Sequence, residues 1–129
     1  MRKLLLLAFF ISLAGCAARS KVRLSDPGAE KLAAHAGPVC MLRSPLPTNV
    51  KYKTLAALNS SKRTYGSVSE LIPLMAADAR AVGANAIINL NTGQRMGAFA
   101  WARPVGTGTA VKIEDSEAFN CVGAGGELR

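Results

Sequence analysis

With 129 residues, half of them hydrophobic, the chain can build one core and little more. Sixteen Lys and Arg against eight Asp and Glu give a formal net charge of +8, which favours anionic partners. One histidine and three cysteines, far apart in the chain, make no metal-ligand spacing, so no metal or other cofactor is expected.

Arg2 and Lys3 precede an apolar run over residues 4–13, broken only by Ser12, and the small Ala14 and Gly15 lead into Cys16. A charged start, a short apolar core and a small-residue end have the form of a secretory signal. The run is shorter than the roughly 20 residues a spanning helix needs. Leu13-Ala14-Gly15-Cys16 resembles the lipobox of bacterial lipoprotein signals. That resemblance implies removal of residues 1–15, diacylglycerol on the Cys16 sulfur and acylation of the new amino group. Ala17 in place of Asp matches sorting to the periplasmic face of an outer membrane. On this reading 129 residues less the 15 of the signal leave 114, and loss of Arg2 and Lys3 takes the net charge from +8 to +6. Lipid headgroups, lipopolysaccharide and peptidoglycan become the anions within reach. Nucleic acid is excluded, since an exported chain does not meet it and no reader motif is present.

Residues 16–37 read as the lipidated N-terminus and a tether, mixing Ser, Lys, Arg, Asp, Pro and Gly without an apolar period. A helical turn over 29–36 and an edge strand at Val22-Arg23-Leu24 are the two local options. The domain is expected over 38–121. Val39-Cys40-Met41-Leu42 predicts a short buried strand, and the prolines in 44–49 end it. From Tyr52 the period becomes two, placing Tyr52, Thr54, Ala56 and Leu58 on one face of a second strand. Val68, Ile72, Met75, Ala79 and Val82 then recur at helical steps. Ser67 and Glu70 are spaced as a capping box, Pro73 argues for a kink or a later start, and Gly83 suits a left-handed exit.

A third strand is expected over 84–90, with Ala86, Ile88 and Leu90 on one face and Ile87 on the other; if it pairs in parallel with the strand before the helix, the connection is a crossover. Asn91-Thr92-Gly93 carries turn chemistry, a fourth strand follows over 96–103, and Arg103-Pro104-Val105-Gly106 turns into a fifth over 107–113. Residues 114–119 suggest a last helical turn, and the Gly-rich 122–129 a flexible tail. The sum is α+β: a small mixed sheet of about five strands packed against one main helix.

At the helix-to-strand corner, Ala79-Arg80-Ala81-Val82-Gly83-Ala84-Asn85-Ala86-Ile87-Ile88 resembles the helix-end motif of the YbjQ and RcsF group of small domains, and Tyr65-Gly66-Ser67 and the 106–113 strand fit it. The resemblance spans about 38–113. It implies the same α+β fold. For the RcsF branch it implies an outer-membrane lipoprotein that senses envelope damage through protein partners. For the YbjQ branch it implies a cytoplasmic domain described as heavy-metal-binding. The chain shares a lipid anchor with the first branch but keeps only Cys40 and Cys121, where that branch has two disulfides.

These residues lead to a non-enzymatic membrane-anchored envelope lipoprotein acting through contacts with an envelope protein, in structural or stress-signalling roles. The alternative is a binding module for a metal ion or an anionic envelope ligand. Cys40 and Cys121 either join in a disulfide or remain a buried small hydrophobe and a free thiol. No catalytic residues are expected: His35 has no motif around it, and no elbow-type sequence surrounds any serine. Asp78 with Arg80, and Glu114, Asp115 and Glu117, read as solvated charges. Phe99 and Trp101 share a face and are expected in the core, because the domain has few aromatics to fill it; exposed, they would form a binding patch. Lys51, Lys53, Lys62 and Arg63 make up the candidate basic surface, otherwise solvated strand ends.

Overall fold

The computed structural model describes residues 18–129, so the signal segment, Cys16 and Ala17 lie outside the described residues. Six strands follow in chain order: β1 (Arg19–Leu24), β2 (Cys40–Met41), β3 (Tyr52–Ser61), β4 (Ala86–Gly97), β5 (Ala100–Ile113) and β6 (Glu127–Leu128). Between β3 and β4 come a 3₁₀ turn (Val68–Glu70) and the helix α1 (Ile72–Ala81). The sheet order is β1-β3-β5-β4-β2-β6; β2 pairs with β4 in parallel and every other pair is antiparallel. The described chain is thus an α+β domain with a mixed sheet and one α-helix.

Ser67 and Glu70 do form a capping box, on the 3₁₀ turn. Glu70 Oε2 accepts from the Ser67 N–H at 2.7 Å, and the Ser67 hydroxyl accepts from the Ser69 N–H at 3.2 Å. The α-helix then starts afresh at Ile72. Pro73 falls in its first turn, where the missing N–H costs nothing. Two successive starts reconcile the cap with the proline. Gly83 has φ 81°, and a Cβ there would meet the Leu32 Cβ at 2.5 Å, so both the exit and the passing chain require glycine.

Ile72, Met75, Ala76 and Ala79 pack α1 on one sheet face, with Met41, Ala56, Leu58, Ile87, Leu90 and Ala110 beneath. Met75 lies over Gly106 and Gly108, where a Cβ would press on its sulfur at 3.1 Å or on the Ile87 Cγ2 at 2.7 Å. Fully buried side chains such as Met75, Leu71 and Ile87 each contribute about 2 kcal/mol by removal from water.

Several expectations are corrected. β3 and β4 do run parallel on either side of α1, but they do not pair: β5 returns between them, antiparallel to both. Asn89 takes φ 53° and shifts the β4 register between Ile88 and Asn91, so Leu90 joins Ile87 on the helix face rather than Ala86 and Ile88. Likewise the β3 register shifts between Thr54 and Ala56. Tyr52 and Thr54 therefore sit opposite Ile113 and Val111 of the other face, apart from Ala56 and Leu58.

Neither expected turn in this region forms. Asn91, Thr92 and Gly93 continue β4, and Arg103 through Gly106 lie inside β5; the chain reverses between Gly97 and Ala100 instead. Pro104 is tolerated because its carbonyl accepts from Lys62 N–H at 3.1 Å, which places its missing donor where β3 has just ended. The 114–118 segment is a turn without helix.

The expected tether is part of the fold from Arg19 on, with β1 paired along β3. No helix forms over 29–36. That segment is drawn along the end of α1 by His35 N–H to Arg80 O (3.2 Å) and by Arg80 Nε to Gly37 O (2.8 Å), so tertiary bonds override its helix propensity. The expected flexible tail returns as β6 beside β2, with Arg129 and Val39 exchanging backbone bonds of 2.9 and 2.8 Å.

Candidate functional site

The face of the sheet away from α1 is divided along its length. At one end Cys40, Leu42, Ala86, Ile88, Val111 and Ile113 form a second core under Leu46, Val50, Phe119 and Cys121. Cys40 and Cys121 are joined in a disulfide, their Cα atoms 5.8 Å apart, which holds the C-terminal loop over this end.

At the other end nothing among the described residues covers the face. Strand pairing sets out rows of side chains there. Arg19, Ser61, Val105 and Gly93 lie across β1, β3, β5 and β4; Lys21, Asn59, Thr107 and Asn91 form the next row; Arg95 and Arg103 sit directly opposite each other. With Arg63, these residues line a shallow groove of ≈ 520 Å³. Its lining contains Arg19, Lys21, Arg63, Arg95 and Arg103, together with the polar Asn59, Ser61, Asn91 and Thr107, and no Asp or Glu. The ion pairs among the described residues, Lys62–Glu70 at 3.2 Å and Glu127–Arg129 at 2.8 Å, involve none of these cations.

Like charges directly opposite in a sheet destabilise it. Arg95 opposite Arg103 is such a pair, with no carboxylate in the groove to relieve it. Local structure keeps the cations in place. Buried Ser60 donates its hydroxyl to Arg19 O at 2.9 Å and fixes the start of β1. Gly97 lets the Arg103 side chain lie across the hairpin, since a Cβ there would meet Arg103 Cδ at 2.6 Å. Chemically the groove offers several guanidinium forks and amide donors to phosphate or carboxylate oxygens.

The expected basic set comes apart. Lys51 precedes β3 and Lys53 lies near its start, while Lys62 and Arg63 follow its end, a separation of roughly 30 Å at strand rise. Lys62 is taken up by Glu70, and the Ser67 N–H, then the Lys62 ammonium, hold the Glu70 carboxyl below its ordinary range. Only Arg63 belongs to the groove. Arg19 and Lys21 had a readable signal, alternation in Arg19-Ser20-Lys21-Val22-Arg23, but a tether assignment hides it. Arg95 and Arg103 do not stand out from the sequence, because turn chemistry at 91–93 and 103–106 hides the continuous β4–β5 hairpin that pairs them.

Phe99 and Trp101 are not core. They are 71% and 82% exposed at the β4–β5 hairpin tip, with Met96 at 75%. Tyr65 stands beside them, its phenolic oxygen accepting from the Trp101 N–H at 3.1 Å.

Other candidates have structural work. His35 bonds through Nε2 to Ala84 O at 2.6 Å and accepts the Gly37 N–H on Nδ1 at 3.0 Å. Arg80, read as solvated, is half-buried and bonds Gly37 O and Arg129 O. Asp78 beside it is half-buried too. Glu114, Asp115 and Glu117 are exposed in the 114–118 turn. Among the described residues no three His, Cys, Asp or Glu side chains gather as a metal-binding group, and no helix is long and apolar enough to cross a membrane. No protein-family model, curated protein or solved structure matches the chain.

Proposed function

We propose that this is a lipid-anchored envelope protein, held by acyl chains on Cys16, whose domain binds a phosphate- or carboxylate-bearing envelope component on its open basic face. The observation that carries the reading is the groove: four cations on one uncovered stretch of sheet, with Arg63 just past the end of β3, and no carboxylate among them. A surface meant only for solubility intersperses both signs, and the Arg95–Arg103 juxtaposition is a cost that an anion would offset. The reading involves no catalysis. The anchor rests on the signal-like N-terminus and the lipobox resemblance; the domain's α+β class agrees with the YbjQ/RcsF resemblance in outline.

The test is a titration of the isotopically labelled full-length lipoprotein, in zwitterionic detergent, with long-chain polyphosphate as a phosphate probe and polygalacturonate as a carboxylate probe. Amide shifts are expected at Arg19, Lys21, Asn59, Asn91, Arg95 and Arg103, and should weaken with added salt. Shifts confined to other surfaces, or none, would sink the reading.

Contact with an envelope protein, as the RcsF resemblance implies, is the second reading. It is favoured by the exposed Met96, Phe99 and Trp101. A photocrosslinker at position 99 that captures one envelope protein in cells would support it.

A further inference from the structure

The exposed hairpin tip and the entry of the chain lie at the same end of the molecule. Arg19 opens β1 opposite Ser61, which closes β3; Ser61 lies opposite Val105 and Val105 opposite Gly93. Beyond this row the β4–β5 hairpin continues to Gly97 and Ala100, carrying Met96, Phe99 and Trp101. Cys16 stands three residues before Arg19, a reach of at most about 10 Å. An anchor on Cys16 therefore brings this end, and not the disulfide end, to the bilayer.

The chemistry of the end suits that neighbour. Met96, Phe99 and Trp101 are the most exposed large apolar side chains at any one place among the described residues, and Tyr65 is 56% exposed beside them. Trp and Tyr are the residues that settle at the level of lipid headgroups. Arg63, Arg95 and Arg103 flank the tip along the adjoining groove. Near an anionic leaflet each such cation adds attraction to the surface. A protein groove would ask for complementary acids opposite these arginines and a shaped pocket for the aromatics, whereas a fluid headgroup layer needs neither.

We propose that the 96–101 hairpin tip is a second membrane contact, seated in the headgroup layer of the anionic leaflet that carries the lipid on Cys16. It rests on that lipidation, and it deepens the functional reading by fixing orientation: the tip and the anchor hold one end down, and the basic face stands beside the headgroups. The acyl chains supply the hold, and the tip removes the freedom to tumble on it.

Trp101 is the only tryptophan in the chain, so its emission reports on the tip alone. The acylated full-length protein is reconstituted into vesicles of phosphatidylglycerol and phosphatidylethanolamine, and into phosphatidylcholine vesicles. In the anionic vesicles the emission should shift to the blue. Lipids brominated near the carbonyl should quench it more than lipids brominated near the chain end, and both effects should be smaller in phosphatidylcholine. Met96→Ser with Phe99→Ser, both exposed and outside the core, should reduce the quenching. Water-like, unquenched emission in protein whose mass shows acylated Cys16 would overturn the tip contact while leaving the anchor intact; equal quenching in both vesicles would overturn the anionic surface. Capture of protein rather than lipid by a photocrosslinker at position 99 would also overturn the proposal. Absence of the acyl mass would instead sink the anchor on which it rests.

Discussion

Asn85 illustrates how much a single side chain holds in this domain. Its amide donates to Ile113 O at 3.1 Å and accepts the Ile113 N–H at 2.7 Å, copying a two-bond strand pair where β4 has not yet begun. Asn85→Ala removes both bonds and leaves two half-buried backbone groups unpaired, so urea unfolding should show a loss of about 2 kcal/mol. Asn85→Asp should cost a similar amount, because it loses the donor and sets a carboxylate against a carbonyl. Glu70 gives a pH-dependent counterpart. Its folded carboxyl lies below the ordinary value, chiefly through the Ser67 N–H and then through Lys62. Its contribution is therefore present above the unfolded value and lost as pH falls through the folded one. A carbon-detected titration should give Glu70 a midpoint below that of an ordinary glutamate, and Lys62→Ala should move it back part of the way. The Ser67–Glu70 cap and the Gly83 exit are legible in the sequence because partner and donor sit within one turn. Asn85 is not, since its partner is 28 residues away.

Elements with a clean period, α1 and the buried part of β3, can be read from residue spacing. The misreadings arise where one residue changes the phase or a neighbour changes the rule. Asn89 flips the face of Leu90, and the end of β3 lets Pro104 stay inside a strand. β1 and β6 have weak patterns of their own and exist because β3 and β2 offer free edges. At this scale the disulfide is the sharpest test. It closes a separation of 81 residues and holds the C-terminal loop on the second core. Cys121→Ser should lower unfolding free energy by about 4 kcal/mol on chain-entropy grounds. Hydrogen exchange should quicken first at Glu127, Leu128 and Arg129. Unchanged exchange there would mean that β6 is held by its strand pairing alone.

For the whole molecule, one end carries the chemistry. The end at which β1 begins holds the uncovered basic rows and the aromatic tip; the far end is closed by loops and a disulfide. The class of fold is legible in the sequence, and the proposed lipid attachment rests on the sequence alone. The basic face cannot, because its cations come from four stretches that only sheet order brings together. Cys16→Ala should move the protein from the membrane fraction to the soluble fraction of the envelope, and an unchanged membrane fraction would refute the anchor. Binding should depend on the location of charge rather than on its amount. Polyphosphate affinity in two variants that each lose four cations separates the two. Arg19→Gln, Lys21→Gln, Arg95→Gln and Arg103→Gln together should weaken binding by roughly a thousandfold, at about 1 kcal/mol for each of the four cations at an anionic surface. Lys31→Gln, Lys51→Gln, Lys53→Gln and Lys112→Gln together should leave it within about twofold, being off the groove. Equal losses in the two variants would contradict the account.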